Sequence, residues 1–220
     1  MVVFRCNAGP QLGLGHLMRC RSLAIALKER GSQCVIVGPT SEYQIKGDKE
    51  TFDEWIGKKE WISEQEDASR LIEIAKEINA TAIVLDDYRI QVDYQSFLRL
   101  SGIPWLQFDS NAKLLLWADI IVNANPSAPS FDYKSRSKNR NAKFLLGPQY
   151  AILRPEFPPF GLISLKNAVR SILVTFGGGD DRGAIEFALP VILSSTTKDV
   201  KIVVVSGEDR KSTRLNSSHY

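Results

Sequence analysis

The sequence is poor in the residues that build metal centres and disulfide frameworks, with only three cysteines and two histidines. Cys6, Cys20 and Cys34 are odd in number, lack the close spacing of a zinc motif and sit in apolar segments, so neither a disulfide nor a zinc site is expected. Long hydrophobic runs are also missing. Runs such as those around Ile103 to Leu106, Leu114 to Trp117 and Val203 to Val205 fall far short of the roughly 20 residues that span a bilayer. No transmembrane helix is expected. The N-terminus has no basic segment, long apolar core or small-residue cleavage site before Val2-Val3-Phe4-Arg5-Cys6. A cytoplasmic location follows as the default.

An anion-binding excess of positive charge is absent once its location is considered. The formal net charge is +3, but Arg210, Lys211 and Arg214 lie in a final stretch, Arg210 to Tyr220, that holds no acid. Without those three, 25 cations face 25 acids. Nucleic-acid binding loses its electrostatic support. The stretch Arg-Lys-Ser-Thr-Arg-Leu-Asn-Ser-Ser-His is polar, aperiodic and resembles a translated sequencing adapter. The expectation is that residues 210–220 are foreign and that the natural C-terminus is missing. A second basic run, Lys134, Arg136, Lys138 and Arg140, has no interleaved aromatics and reads as a solvated loop. Trp55, Trp61, Trp105 and Trp117 are scattered, as core or rim residues are.

What is present is an alternation of strand and helix signals. Val2 to Asn7 reads as a strand, Leu17 to Arg30 as a helix and Cys34 to Val37 as a strand. Ser63-Glu64-Gln65-Glu66 is a capping box that opens a helix running to about Asn79, before a strand at Ala82 to Leu85. Gln91 to Leu100 follows as a helix, then strands at Pro104 to Phe108, Ile120 to Val122 and Phe144 to Leu146. Such alternation predicts an α/β domain over residues 1–157, with a parallel sheet covered by helices on both faces. Pro155-Glu156-Phe157-Pro158-Pro159-Phe160 reads as a hinge, because consecutive prolines cannot continue a helix or a sheet interior. A second unit over 158–209 offers a strand at Ser171 to Phe176, a tight loop at Gly177 to Asp180, a helix from Gly183 and a strand at Val200 to Val205. Two strands and a helix are too few for a closed core, so this unit is expected to be incomplete.

The most informative segment runs from Gly9 to Arg19, where the first strand turns into the first helix. Gly13 and Gly15 allow close backbone approach to a ligand, and the free N–H groups of a helix start favour anions. His16 falls at that start, where the positive end of the helix favours the neutral imidazole that a general base needs. Outside the 210–220 stretch it is the single histidine. Two phosphate motifs are excluded by spacing. The glycine pattern ends in Met18 rather than Gly or Ala, and no Lys-Ser/Thr pair follows. Spacing alone also allows His16 to be a helix cap and the glycines a plain turn. Arg19, one turn beyond Gly15, is placed to reach a phosphate or to pair with an acid at the sheet edge.

The segment Gln11-Leu12-Gly13-Leu14-Gly15-His16-Leu17-Met18-Arg19-Cys20 resembles the signature of the UDP-2,4-diacetamido-2,4,6-trideoxy-β-L-altropyranose hydrolases of pseudaminic acid biosynthesis and of related spore-coat polysaccharide proteins. Val84-Leu85-Asp86-Asp87-Tyr88 is similar to that family's Asp-x-Tyr strand end. Leu146-Gly147-Pro148-Gln149-Tyr150 and Leu153-Arg154-Pro155-Glu156-Phe157 are similar to its interdomain segment, and Ile172 to Gly178 to the start of its C-terminal domain. The resemblance implies a glycosyltransferase-B type fold, two doubly wound Rossmann-like domains with the sugar nucleotide in the cleft, the second domain incomplete here. It implies water attack on the anomeric carbon with inversion, UDP release, no metal and no cofactor. His16 matches the base. Tyr88 and Asp86 match residues near the sugar, with Asp87 competing for the role of Asp86, while Gly177 and Gly178 are placed either to offer backbone donors to a diphosphate or to form a plain strand-to-helix turn. Asn7 stands where the family usually has Asp, Ser110 where a second Asp is common after Asp109, and Gly179 where Ser is usual. Because UDP is held mainly by the second domain in such folds, this chain is expected to hold it weakly and to be inactive. A glycosyltransferase of the same fold, with His16 deprotonating a sugar hydroxyl, is the second reading, and a non-catalytic sugar-nucleotide-binding module the third. Oligomeric state is not legible.

Overall fold

The computed structural model describes residues 1–9, 12–57, 63–157, 171–176, 183–197 and 199–205. The chain divides into two units, Met1–Ala8 with Gly15–Pro158, and Gly9–Leu14 with Pro159–Tyr220. In chain order the elements are β1 (Val2–Cys6), α1 (Gly15–Lys28), β2 (Cys34–Gly38), α2 (Asp48–Thr51), β3 (Glu54–Gly57), α3 (Glu64–Glu77), β4 (Ala82–Asp86) and α4 (Val92–Leu100). They continue with β5 (Trp105–Phe108), β6 (Ile120–Asn123), α5 (Tyr133–Arg136), β7 (Lys143–Leu146), β8 (Ser171–Thr175), α6 (Ala184–Ser195) and β9 (Lys201–Val205). No helix among the described residues is long and apolar enough to cross a membrane.

In the first unit seven strands form one parallel sheet in the order β3-β2-β1-β4-β5-β6-β7. The chain winds outward from β1 to one edge and then restarts at β4 on the other side of β1. Ligands of open parallel sheets gather at such a reversal, beyond the carboxyl ends of the strands. Here the two strand ends are in register, with Cys6 beside Asp86.

Side-chain alternation along each strand builds two cores. Val3, Val35, Ile83 and Leu85 face α3 and α4, packing against Ala68, Leu71, Ile74, Tyr94 and Leu98. Their neighbours Phe4, Cys6, Ile36 and Val84 point the other way, against Leu17, Cys20 and Ala24 of α1. Truncating a buried leucine such as Leu17 to alanine costs on the order of 2–5 kcal/mol, so each helix is held chiefly by its apolar stripe. The capping box is realised on its serine side, where the Ser63 hydroxyl accepts the Glu66 N–H at 3.2 Å.

β3 is the strand that the sequence pattern misses. Glu54-Trp55-Ile56-Gly57 is a short edge strand, exposed at both ends, and so lacks the apolar run by which the inner strands are read. Its Trp55 donates Nε1–H to the Pro39 carbonyl at 2.7 Å. Trp105 is buried, Trp117 partly so, and Trp61 lies outside the described residues. The basic run at Lys134, Arg136, Lys138 and Arg140 is exposed, with α5 as a single turn inside it.

In the second unit, β8 and β9 pair in parallel from Ser171 beside Lys201 to Thr175 beside Val205. α6 begins after Gly183, which takes a left-handed φ of 82°. Gly9 and Gly13 form an isolated antiparallel bridge, with Gly13 N–H donating to the Gly9 carbonyl at 2.7 Å. Residues 177–180 and 210–220, on which the glycine-loop and foreign-tail expectations rest, lie outside the described residues.

Two predictions follow from the packing of the first unit. At the end of β2, Gly38 has φ of 126°, and a Cβ there would lie 2.0 Å from the Cys6 carbonyl oxygen and 2.4 Å from Arg5 Nη1. Gly38→Ala is expected to destabilise the protein by about 3 kcal/mol, read from urea unfolding. All three thiols are buried. Burial, with a further contribution from the Cys6 thiol, pushes Cys20 well above the ordinary thiol range, and burial also raises Cys34. A thiol reagent is therefore expected to leave the native protein untouched at neutral pH and to label three cysteines in denaturant; rapid native labelling would contradict this burial.

Candidate functional site

Asp86 ends β4 at the reversal point with only 1% of its side chain exposed. A carboxylate removed from water needs hydrogen-bond donors and a compensating cation. α1 provides both. Arg19 donates from Nε to one Asp86 oxygen at 2.6 Å and from Nη2 to the other at 2.5 Å. His16 Nδ1 lies 2.7 Å from the oxygen shared with Nη2. His16 and Arg19 are three residues apart and therefore project from one helical face.

The pairing assigns the histidine tautomer. A carboxylate engaged by both arms of a guanidinium offers only acceptors, so Nδ1 must carry the proton. In the neutral ring Nε2 is then left as the basic nitrogen. Asp86 would also stabilise the imidazolium formed when that nitrogen takes a proton, as the acid does in a nucleophile–His–Asp relay. Tyr88 packs its ring against the imidazole at 4.4 Å between centroids and 76° between planes. The tyrosine is itself 60% exposed, so the histidine is shielded by a side chain that also faces solvent.

Arg19 is fixed from a second direction by Phe108 of β5, whose ring centroid lies 4.3 Å from Cζ. Burial works against the guanidinium charge, but the hydrogen bonds and charge of Asp86 outweigh it, and the Arg19 pKa is raised. In the structure this arginine pairs with an acid, which lies at the carboxyl end of the central strand β4 and not on an edge strand. Beside α1, Gly15, Met18 and Arg19 line an open groove of about 300 Å³ together with Ile152, Leu153 and Phe157.

The structure thus brings together His16, Arg19, Asp86 and Tyr88, with Gly15 at the first position of the same helix. Gly13, at φ of 72°, is grouped with the second unit. Gly177 and Gly178 lie outside the described residues. Between the adjacent acids, Asp86 is the one that meets His16. Asp87 instead accepts from Asn7 Nδ2, from the Arg89 backbone N–H at 3.0 Å and from Arg89 Nη2 at 2.8 Å.

Sequence reasoning missed Arg5. Its guanidinium binds both oxygens of Asp67 in α3, at 2.8 and 3.1 Å, and comes within 3.8 Å of Asp87. The Tyr94 hydroxyl of α4 donates to the same Asp67 at 2.8 Å. An arginine inside the otherwise apolar strand Val2–Cys6 was the available signal, since a charge there requires a buried partner.

No family model matches the chain. Among curated proteins, an uncharacterized protein of Methanocaldococcus jannaschii is 26% identical over 202 residues, covering 90% of this chain and 40% of that protein. The UDP-2,4-diacetamido-2,4,6-trideoxy-β-L-altropyranose hydrolase of Campylobacter jejuni is 28% identical over 157 residues, covering 71% of this chain and 53% of the hydrolase. The chain therefore spans about half the length of these relatives or less. Among solved structures, the crystal structure of Acinetobacter baumannii MurG superposes with a TM-score of 0.54 at 16% identity, covering 94% of this chain and 59% of MurG. That likeness shows the fold, which is of the glycosyltransferase-B type. The chain is thus similar in sequence to the UDP-2,4-diacetamido-2,4,6-trideoxy-β-L-altropyranose hydrolase of Campylobacter jejuni and shares the glycosyltransferase-B type fold.

Proposed function

We propose that this protein is a hydrolase of a UDP-linked diacetamido-trideoxy sugar, acting in nonulosonic acid biosynthesis in the cytoplasm, with His16 as the general base. The observation that carries the reading is the relay of Arg19 and His16 about the buried Asp86 at the reversal point of the sheet. The relationship to the Campylobacter hydrolase supports the substrate class.

In this reading Nε2 of His16 removes a proton from water as the water oxygen bonds to the anomeric carbon. The bond from that carbon to the UDP oxygen breaks on the opposite face, giving the free sugar with inverted configuration and UDP. The proton remains on the imidazole, whose positive charge is balanced through Nδ1–H by Asp86. Arg19 holds the carboxylate in place and, by neutralising it, prevents the acid from standing as an uncompensated buried charge. Tyr88, half in solvent and edge-on to the base, is placed to contact the sugar. The groove beside Gly15 and Met18 provides room at the same helix start.

The test is UDP release from the altrose-configured UDP-diacetamido sugar. It is run on the chain and on a fusion that adds the Campylobacter hydrolase segment beyond the matched residues. His16→Ala is expected to lower kcat by about 10²–10⁴-fold with the fold intact by circular dichroism. Transfer to an added acceptor sugar, without release to water, would move the assignment to a glycosyltransferase in which His16 deprotonates a hydroxyl. Ligand binding without turnover would favour a binding module.

Gly15 separates a ligand role from a structural one. A Cβ there meets nothing within 4 Å, so Gly15→Ala is expected to leave stability unchanged or raise it by up to about 1 kcal/mol. A several-fold rise in KM beside that unchanged stability is the predicted result, read from steady-state kinetics and thermal unfolding.

A further inference from the structure

We propose that Asp87 is a positioning residue for the site, clamping the strand end from the face opposite to Asp86 so that Asp86 and Tyr88 are held against His16. The proposal rests on the reading of His16 as the base. Consecutive residues at a strand end point to opposite faces of the sheet. Asp86 is taken up on the α1 face by His16 and Arg19. Asp87 turns to the α3 and α4 face, where its side chain is 2% exposed.

There it gathers hydrogen-bond donors from two places and stands near a third group, a cation. Asn7, in the loop after β1, donates from Nδ2. Arg89 donates its backbone N–H at 3.0 Å, Nε at 3.1 Å and Nη2 at 2.8 Å, which closes the turn around Tyr88. Arg5 stands 3.8 Å away, itself bound to Asp67, which the Tyr94 hydroxyl also engages. The far end of the turn is tied to α3, where Glu64 accepts the backbone N–H groups of Gln91 and Tyr94, each at 3.1 Å. The peptide between the two acids is thus gripped from both faces, and Tyr88 is the exposed residue that the grip leaves free to face solvent. A loop so held keeps the carboxylate and the ring in one geometry before any substrate arrives, which is where displacements near 1 Å are costly.

Asp87→Asn keeps the shape of the side chain but removes its charge, and Arg89→Gln, at a side chain 34% exposed, releases the turn from the solvent side. The first readout needs no turnover: the NMR resonances of the His16 ring, which Tyr88 shifts by its edge-on packing. The only other histidine is His219, identified by His219→Gln. Both variants are expected to move the His16 signals. In kinetics they are expected to lower kcat by about 10- to 100-fold, with KM changed less than roughly threefold. Asn7→Asp sets two carboxylates against each other and is expected to be impaired. The exchange Asn7→Asp with Asp87→Asn restores one donor and one acceptor, and is expected to recover at least about tenfold over Asn7→Asp alone. Unchanged His16 signals in folded Asp87→Asn, or in Arg89→Gln should the first not fold, would overturn the proposal. So would a loss of activity that follows only the unfolded fraction. If neither the wild-type chain nor the fusion releases UDP, the hydrolase reading fails and the His16 resonances alone decide the role of Asp87.

Discussion

A carboxylate buried at the end of a central strand is the constraint on which this site depends. Asp86 has no access to water, so the fold must bring a cation and further hydrogen-bond donors to it, or the first unit would carry a charge whose desolvation costs several kcal/mol. α1 meets that demand with two side chains on one face. Arg19 neutralises the acid, and His16 uses the remaining acceptor capacity. The same interaction orients α1 on the sheet, sets the histidine tautomer and frees the other ring nitrogen for proton transfer. Structural satisfaction and chemical competence here are one arrangement.

The topology brings these groups together. β1 and β4 are adjacent and parallel although 80 residues separate Val2 from Ala82, so the carboxyl ends of the two strands lie side by side. Period-two alternation then distributes the polar groups. Arg5 and Asp87 are bound on the α3 and α4 face, while Asp86 is bound on the α1 face. Each face has an arginine matched to a buried aspartate: buried Arg5 with Asp67 on one side, half-buried Arg19 with Asp86 on the other. The two pairs lie on either side of the strand ends that shape the site, where an unmatched charge would be most disruptive.

Much of the fold was legible because the inner strands are short apolar runs and α3 carries both its cap and a regular apolar stripe. β3 was not, because an edge strand with Glu54 at one end and Gly57 at the other buries too little to leave a pattern. α2 and α5 are single turns, set by local side-chain bonds and not by periodicity. In the site, Gly15, His16, Arg19, Asp86 and Tyr88 could be named from their positions at strand ends and helix starts and from a family resemblance. The partner of Arg19 could not, since a phosphate and a sheet-edge acid were equally compatible with its spacing. Nor could the choice between Asp86 and Asp87, because adjacent acids are equivalent in sequence until a sheet gives them opposite faces.

By itself the sequence determined the α/β alternation, the helix beginning at Gly15 and His16, and the absence of any apolar segment of membrane-spanning length, because these depend on local propensity and on hydrophobic spacing. Tertiary structure alone decided that His16 meets Asp86 and not Asp87, that Arg19 is held by that same acid, and that Arg5 is balanced by Asp67 across 62 residues of chain. Those choices are made by burial, since a charge withdrawn from water is tolerated only beside the particular groups that the packed sheet and helices bring within hydrogen-bond reach.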